Sequence, residues 1–182
     1  MSTAPRFPAV ANDAMTPDQQ RFWEEITSGP RGTISGPFLP LMHAPKLARR
    51  VEKLGEYLRF DSSLPPAIIE LAILVTAHHW KCHYEWHYHA RLAAQAGISA
   101  QAIECIRTGQ APVGLDAAAS VAYDYCREVH LQGEPSQATF QAVAAEFGHQ
   151  GALELLATNG YYAMLAMILN TSQLMPTEGA AF

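Results

Sequence analysis

The chemistry-bearing stretch of this 182-residue chain is Cys82-His83-Tyr84-Glu85-Trp86-His87-Tyr88-His89, preceded by a lone carboxylate, Glu70. Five of the eight histidines lie between His78 and His89. On a helix, at about 100° per residue, Cys82, Glu85 and His89 share one face within an arc of about 60°. Glu85 and His89 are also i,i+4 neighbours, so a carboxylate and an imidazole can touch. Such a pair fixes the imidazole tautomer and makes a proton relay near neutral pH. If the chain breaks just before Cys82, the thiol stands at a helix start, where the dipole favours a thiolate. Trp80, Tyr84, Trp86 and Tyr88 surround these groups, and a polar group inside an aromatic surround must find a partner. Tyr84 and Trp86 are candidate walls of a substrate pocket, although the same aromatics suit a helix–helix or subunit interface.

Other chemistries compete for these residues. His79, His83 and His87 recur every four positions, and two such histidines with a carboxylate can ligate zinc or nickel. Glu85 stands one place late for the H-E-x-x-H pattern, so solvated or stacked histidines are the expectation, with no metal. Arg49, Arg50, Arg59 and Arg91 are candidates to hold a substrate carboxylate, and spacing does not choose among them.

The elements that must position these groups read as helices throughout. Thr16-Pro17-Asp18 looks like an N-cap with proline in the first turn, opening a helix that stops near Gly29-Pro30. Residues 29–45 hold three glycines and four prolines, the composition of a loop or wrapping arm. Pro45 opens a helix with Leu47, Val51, Leu54, Tyr57 and Leu58 expected on its buried face. After Leu64-Pro65-Pro66, the run from Ile68 to Ala77 is apolar nearly all round, which predicts burial on most sides. A break between His78 and Cys82 is expected before the helix resumes and ends at Gly97. Further helices are expected from Ser99, from about Leu115 to His130, from Ser136 to Phe147, and from about Ala152 to Leu174. The fold class expected is all-α: an irregular Gly/Pro-rich N-terminal helix and arm over residues 1–45, then one helical domain over 46–182.

Composition excludes some partners. Twelve basic against seventeen acidic residues leave a net charge of −5, which gives no electrostatic case for nucleic acid or an anionic membrane. The longest near-apolar run, Leu71 to Ala77, is too short to cross a bilayer. Three widely spaced cysteines and an N-terminus without a basic-then-apolar layout lead to the expectation of a cytoplasmic protein with reduced thiols.

The run Leu64-Pro65-Pro66, Glu70-Leu71-Ala72-Ile73-Leu74, Tyr84-Glu85-Trp86, His89 and Ala96-Gly97-Ile98 resembles the carboxymuconolactone decarboxylase family. Met42-His43-Ala44-Pro45 before it, and Phe147-Gly148 with Gly160-Tyr161-Tyr162 after it, extend the resemblance over about residues 38 to 174. It implies the all-helical fold shared with alkylhydroperoxidase D-like proteins, and with it a homo-oligomer (dimer, trimer or hexamer). The peroxidase branch resembles Glu, then Cys-x-x-Cys, then His four residues on. Here the Glu falls on Glu70, the first Cys on Cys82 and the His on His89, but Glu85 occupies the second Cys position. A carboxylate cannot form the disulfide that thiol peroxidation needs. The decarboxylase branch resembles a Glu with His four residues later, which matches Glu85 and His89. The resemblance also makes His43 a candidate to face the pocket.

The implied activity is cofactor-independent acid/base catalysis on a small anionic substrate, an unsaturated lactone or oxo acid. Decarboxylation, hydrolysis and isomerisation would all suit the pair. Glu70 would tune it by like-charge repulsion. One alternative is a thiol peroxidase using Cys82 with Glu70 and His89 as relay. Another is a non-catalytic oligomeric binding protein.

Overall fold

The computed structural model describes residues 6–176 and is all-helical, with no strand among them. Helix α1 (Pro17–Ser28) starts as its sequence predicts. Thr16 Oγ1 accepts from the Gln19 amide while Gln19 Oε1 accepts from the Thr16 amide, so two otherwise orphaned donors are met reciprocally. The Gly/Pro-rich arm that follows contains one short helical turn, α2 (Phe38–Leu41), which the loop reading did not anticipate.

Helix α3 (Pro45–Glu56) corrects the expected face. Ala48, Val51, Glu52 and Gly55 are buried, with Leu58 beyond, whereas Leu47, Leu54 and Tyr57 point outward. The small residues let α3 approach α1 and the side chains of Tyr161 and Arg31, and that close approach outweighs the apolar area of the leucine face. Beyond α3 the chain widens into a π-helical turn, Tyr57–Asp61, of the kind often found at functional sites. Glu154 holds this turn from the far end of the chain, accepting from the Tyr57 hydroxyl and from the Ser63 amide and hydroxyl.

The core is built around α4 (Pro66–His79), buried without interruption from Ile68 to Ala77. It packs on α5 (His83–Gln95), α7 (Ala117–Gln132) and α8 (Gln137–Ser172), with α6 (Ala100–Arg107) closing one side. The helices predicted from Ser136 and from Ala152 join into the single element α8, kinked where Gly148 adopts φ 69° and ψ 175°. By length and composition α8 is apolar enough to cross a membrane. Over half of its apolar window is buried against the other helices, as in a core helix.

The α4–α5 hairpin positions the chemistry. α4 ends at His79, Lys81 takes a left-handed φ of 50°, and the Cys82 amide reaches back to the Ala77 carbonyl at 2.9 Å. The Asn170 side chain on α8 donates to the Trp80 carbonyl and ties the turn down. An antiparallel return at this point brings Glu70 on α4 level with His89 on α5.

Candidate active site

His89 lies between two carboxylates. Its Nδ1 is 2.6 Å from Glu70 Oε2 and its Nε2 is 3.2 Å from Glu85 Oε2. All three residues are buried. The ring is held edge-on by Tyr88 and Tyr162, each with centroids 5.2 Å away. With an acceptor at each ring nitrogen, the imidazolium can donate both N–H groups. Burial works against that charge, but the hydrogen bonds to Glu70 and Glu85 outweigh it and raise the His89 pKa above its usual value. Glu70 therefore acts by direct contact with His89, where the sequence suggested only like-charge tuning at a distance.

Glu85 and His89 open onto a cavity of about 200 Å³. Four segments wall it: the arm over residues 30–38, the π turn with Arg59 and Phe60, the Tyr84–Tyr88 face of α5, and Tyr161, Tyr162 and Leu165 of α8. Tyr84 reaches the cavity because Gly36, at φ 55°, lies under its ring. A Cβ at Gly36 would sit 2.9 Å from Tyr84 Cε1. Arg59 lines the same space, close enough to the Glu70 and Glu85 carboxylates that its pKa is raised despite burial. Burial holds the Tyr161 hydroxyl protonated, its pKa pushed up to about 12, and raises that of the Tyr162 hydroxyl well above its ordinary value.

Three expected site residues stand elsewhere. Cys82 does cap α5, but it is fully buried outside the cavity. Burial pushes its pKa up to about 12, because desolvation outweighs the Tyr84 and Glu85 amides at the helix start. The thiolate expected from the helix dipole does not form there. Cys82, Cys105 and Cys126 are all free thiols. Trp86 is buried in the core and does not wall the cavity. His43 is exposed at the other end of the arm, its Nε2 2.8 Å from the Pro8 carbonyl and its ring tilted on Phe7. The single turn α2 carries it away from the pocket.

The histidine row does not survive as a row. The break after His79 leaves that ring on α4, stacked on His130 at 4.8 Å, while His83 and His87 belong to α5. Among the described residues, no three His, Cys, Asp or Glu side chains are placed to hold a metal ion.

The sequence reading missed Arg31, Tyr161 and Tyr162 as cavity residues. A cation fixed between Pro30 and Gly32, and paired tyrosines within a Leu- and Met-rich helix, were the available signals.

An all-helical bundle with a Glu–His–Glu cluster at the hairpin has the fold of the alkylhydroperoxidase D-like proteins. One solved structure with it is the AhpD core of a peroxidase-related protein from Ralstonia eutropha JMP134. That similarity has TM-score 0.78 and 18% identity, covering 98% of this chain and 95% of that one. The debrominase Bmp8 is similar at TM-score 0.72 and 12% identity, covering 93% and 91%. A putative antioxidant defence protein AhpD from Agrobacterium tumefaciens gives 0.67 and 17%, covering 76% and 96%. No curated protein matches the chain significantly. Residues 45–128, which carry Glu70, Glu85 and His89, match the model of the carboxymuconolactone decarboxylase family.

Proposed function

We propose that this protein is a cofactor-independent acid/base enzyme acting on a small unsaturated lactone or oxo acid, with decarboxylation as its reaction. The observation that carries the reading is His89, with both ring nitrogens on carboxylates and its ring at the wall of the cavity. The match of the segment holding these residues to the carboxymuconolactone decarboxylase family model supports it. So does the small size of the cavity, below the roughly 300–1,000 Å³ of pockets for drug-sized ligands.

In the proposed step the substrate's C–C bond to its carboxylate breaks and CO₂ leaves. The electron pair moves into the conjugated carbonyl, giving a dienolate. His89, its pKa raised by its two carboxylate partners, delivers a proton to the carbon, and Glu85 and Glu70 stabilise the imidazolium before transfer and hold the ring's orientation after it. Solvent then returns the proton to His89. The raised His89 pKa keeps the acid form available above the usual histidine range. Hydrolysis or double-bond isomerisation would draw on the same pair.

The thiol peroxidase alternative needs a reachable thiolate, and the burial and raised pKa of Cys82 weigh against it. The test is CO₂ release from a panel of unsaturated lactone acids by wild type, His89→Gln and Cys82→Ala. The expected result is loss of turnover by at least a hundredfold in His89→Gln, the scale of one general acid, with Cys82→Ala within about twofold of wild type. Turnover that survives His89→Gln, or peroxide consumption that vanishes in Cys82→Ala, would overturn the reading.

A further inference from the structure

A second cavity, of about 350 Å³, opens between the last turns of α4, the end of α6 and the last turns of α7. It shares no lining residue with the cavity at His89. Five basic side chains line it, those of His78, His79, Lys81, Arg127 and His130, and among the described residues no carboxylate does. In a chain of net charge −5 this is a local reversal of sign. The imidazoles are held in place. His130 Nε2 lies 2.8 Å from Thr76 Oγ1, and its ring stacks on His79 with centroids 4.8 Å apart. His79 also meets Trp80 edge-on at 5.5 Å, and the His78 ring bonds to the Arg107 carbonyl. Burial, with the neighbouring His79, pushes the His130 pKa down to about 4 and lowers that of His78.

The two permanent cations are uncompensated. Elsewhere Arg49 pairs with Glu25, Lys53 with Glu56 and Arg107 with Glu104. Lys81 and Arg127 are exposed, and neither makes an ion pair or side-chain hydrogen bond with a described residue. The carboxylates of the adjoining helices are engaged or turned aside. Glu104 holds Arg107, Glu128 accepts from the Ser136 amide and the Thr139 hydroxyl, and Asp124 lies outside the lining. Val75, Ile106 and Leu131 add apolar surface to the cavity. Two fixed charges and ring nitrogens beside such a surface complement a dianion carried on an apolar body. A carboxylate would answer only one of the charges.

We propose that this cavity is a binding site for a phosphate monoester with a small apolar body, its phosphate on Lys81 and Arg127 and its body against Val75, Ile106 and Leu131. A dianion beside the imidazoles favours their charged forms, so the protein takes up protons as the ester binds. The volume suits a ligand at the small end of the roughly 300–1,000 Å³ range of ligand pockets.

The test titrates phenyl phosphate, inorganic phosphate and phenol into the full chain at about pH 7.5, where the monoester is a dianion, and follows the ¹⁵N-histidine NMR signals. Phenyl phosphate should shift the His78, His79 and His130 signals and leave that of His89 in place, with a Kd of about 1 mM or tighter. Inorganic phosphate and phenol each offer half of the complementary chemistry and should bind at least about fivefold more weakly. Lys81→Gln and Arg127→Gln, both at exposed positions, should each weaken phenyl phosphate about two- to fivefold, the scale of an exposed ion pair. The double variant should bind it no better than phenol, and His89→Gln should bind it as wild type does. Full affinity in the double variant, inorganic phosphate binding as tightly as phenyl phosphate, or a shift at His89 alone would overturn the site. So would the absence of any histidine shift at about 10 mM phenyl phosphate.

Discussion

Replacing Glu70 by Gln keeps the shape and one acceptor at His89 Nδ1 but removes the charge that faces it at 2.6 Å. A hydrogen bond to a charged partner contributes about 1.5–3 kcal/mol, against about 1 kcal/mol for a neutral one. At roughly 1.4 kcal/mol per pKa unit, the difference lowers the His89 pKa by about one unit. A Coulomb estimate for a pair about 4 Å apart in a protein-like dielectric, near 4 kcal/mol, bounds the drop at about three units. Glu85→Gln should give a smaller drop, since its oxygen stands at 3.2 Å. The assay is a ¹⁵N-histidine NMR titration of wild type and both variants. The sign of the stability effect follows from the raised pKa. The contribution is full below the unfolded value near 6.5 and is lost as pH rises through the folded value, so Glu70→Gln should narrow that window from its alkaline side. Turnover should lose its alkaline limb at correspondingly lower pH. A His89 pKa that moves by less than about 0.3 unit, or moves more in Glu85→Gln, would refute the reasoning that Glu70 is its main partner.

Two further outcomes follow from the supports of the cavity. Glu154 carries a depressed pKa of about 2, because hydrogen bonds from Gln150, Ser63 and Tyr57 overcome its burial. Its contribution is present above the normal carboxylate range and is lost as pH falls from about 4.5 toward 2, so acid unfolding of Glu154→Gln should lose that dependence. The same variant should cost about 2 kcal/mol at neutral pH in urea, since a Gln amide turns a donor toward the Ser63 or Tyr57 donors. Gly55→Ala puts a Cβ 2.1 Å from Tyr161 Oη and 2.7 Å from Arg31 Nη2, so it should displace both side chains and cost about 1–3 kcal/mol in urea unfolding. An unchanged urea midpoint in Gly55→Ala would show that neither side chain needs that space.

Local signals carried much of the fold. Thr16-Pro17, Pro45, Ser99 and Ser136 mark helix starts because capping depends on one or two residues next to the backbone it satisfies. The Ile68–Ala77 run announced a helix buried on all sides for the same reason: no polar face is available to meet water. The Glu85–His89 contact was legible because both lie on one helix, where spacing alone sets distance.

What escaped the sequence depends on which faces meet. Periodicity gave α3 a leucine stripe but could not say that Gly55 and Ala48 would turn inward to admit Tyr161 and Arg31. The burial of Cys82, the departure of His43 from the pocket and the placing of Trp86 in the core each follow from packing by other segments.

By itself, then, the amino-acid order determined the helices, their ends and the i,i+4 acid/base pair, since these rest on interactions within a few residues. Only the tertiary structure decided that Glu70 would meet His89 from another helix. It likewise decided that Arg31, Arg59 and Tyr161, from three distant segments, would share one cavity with the pair. Those contacts depend on the angle of the three-residue turn between α4 and α5 and on how closely helices can approach, and neither is written in local spacing.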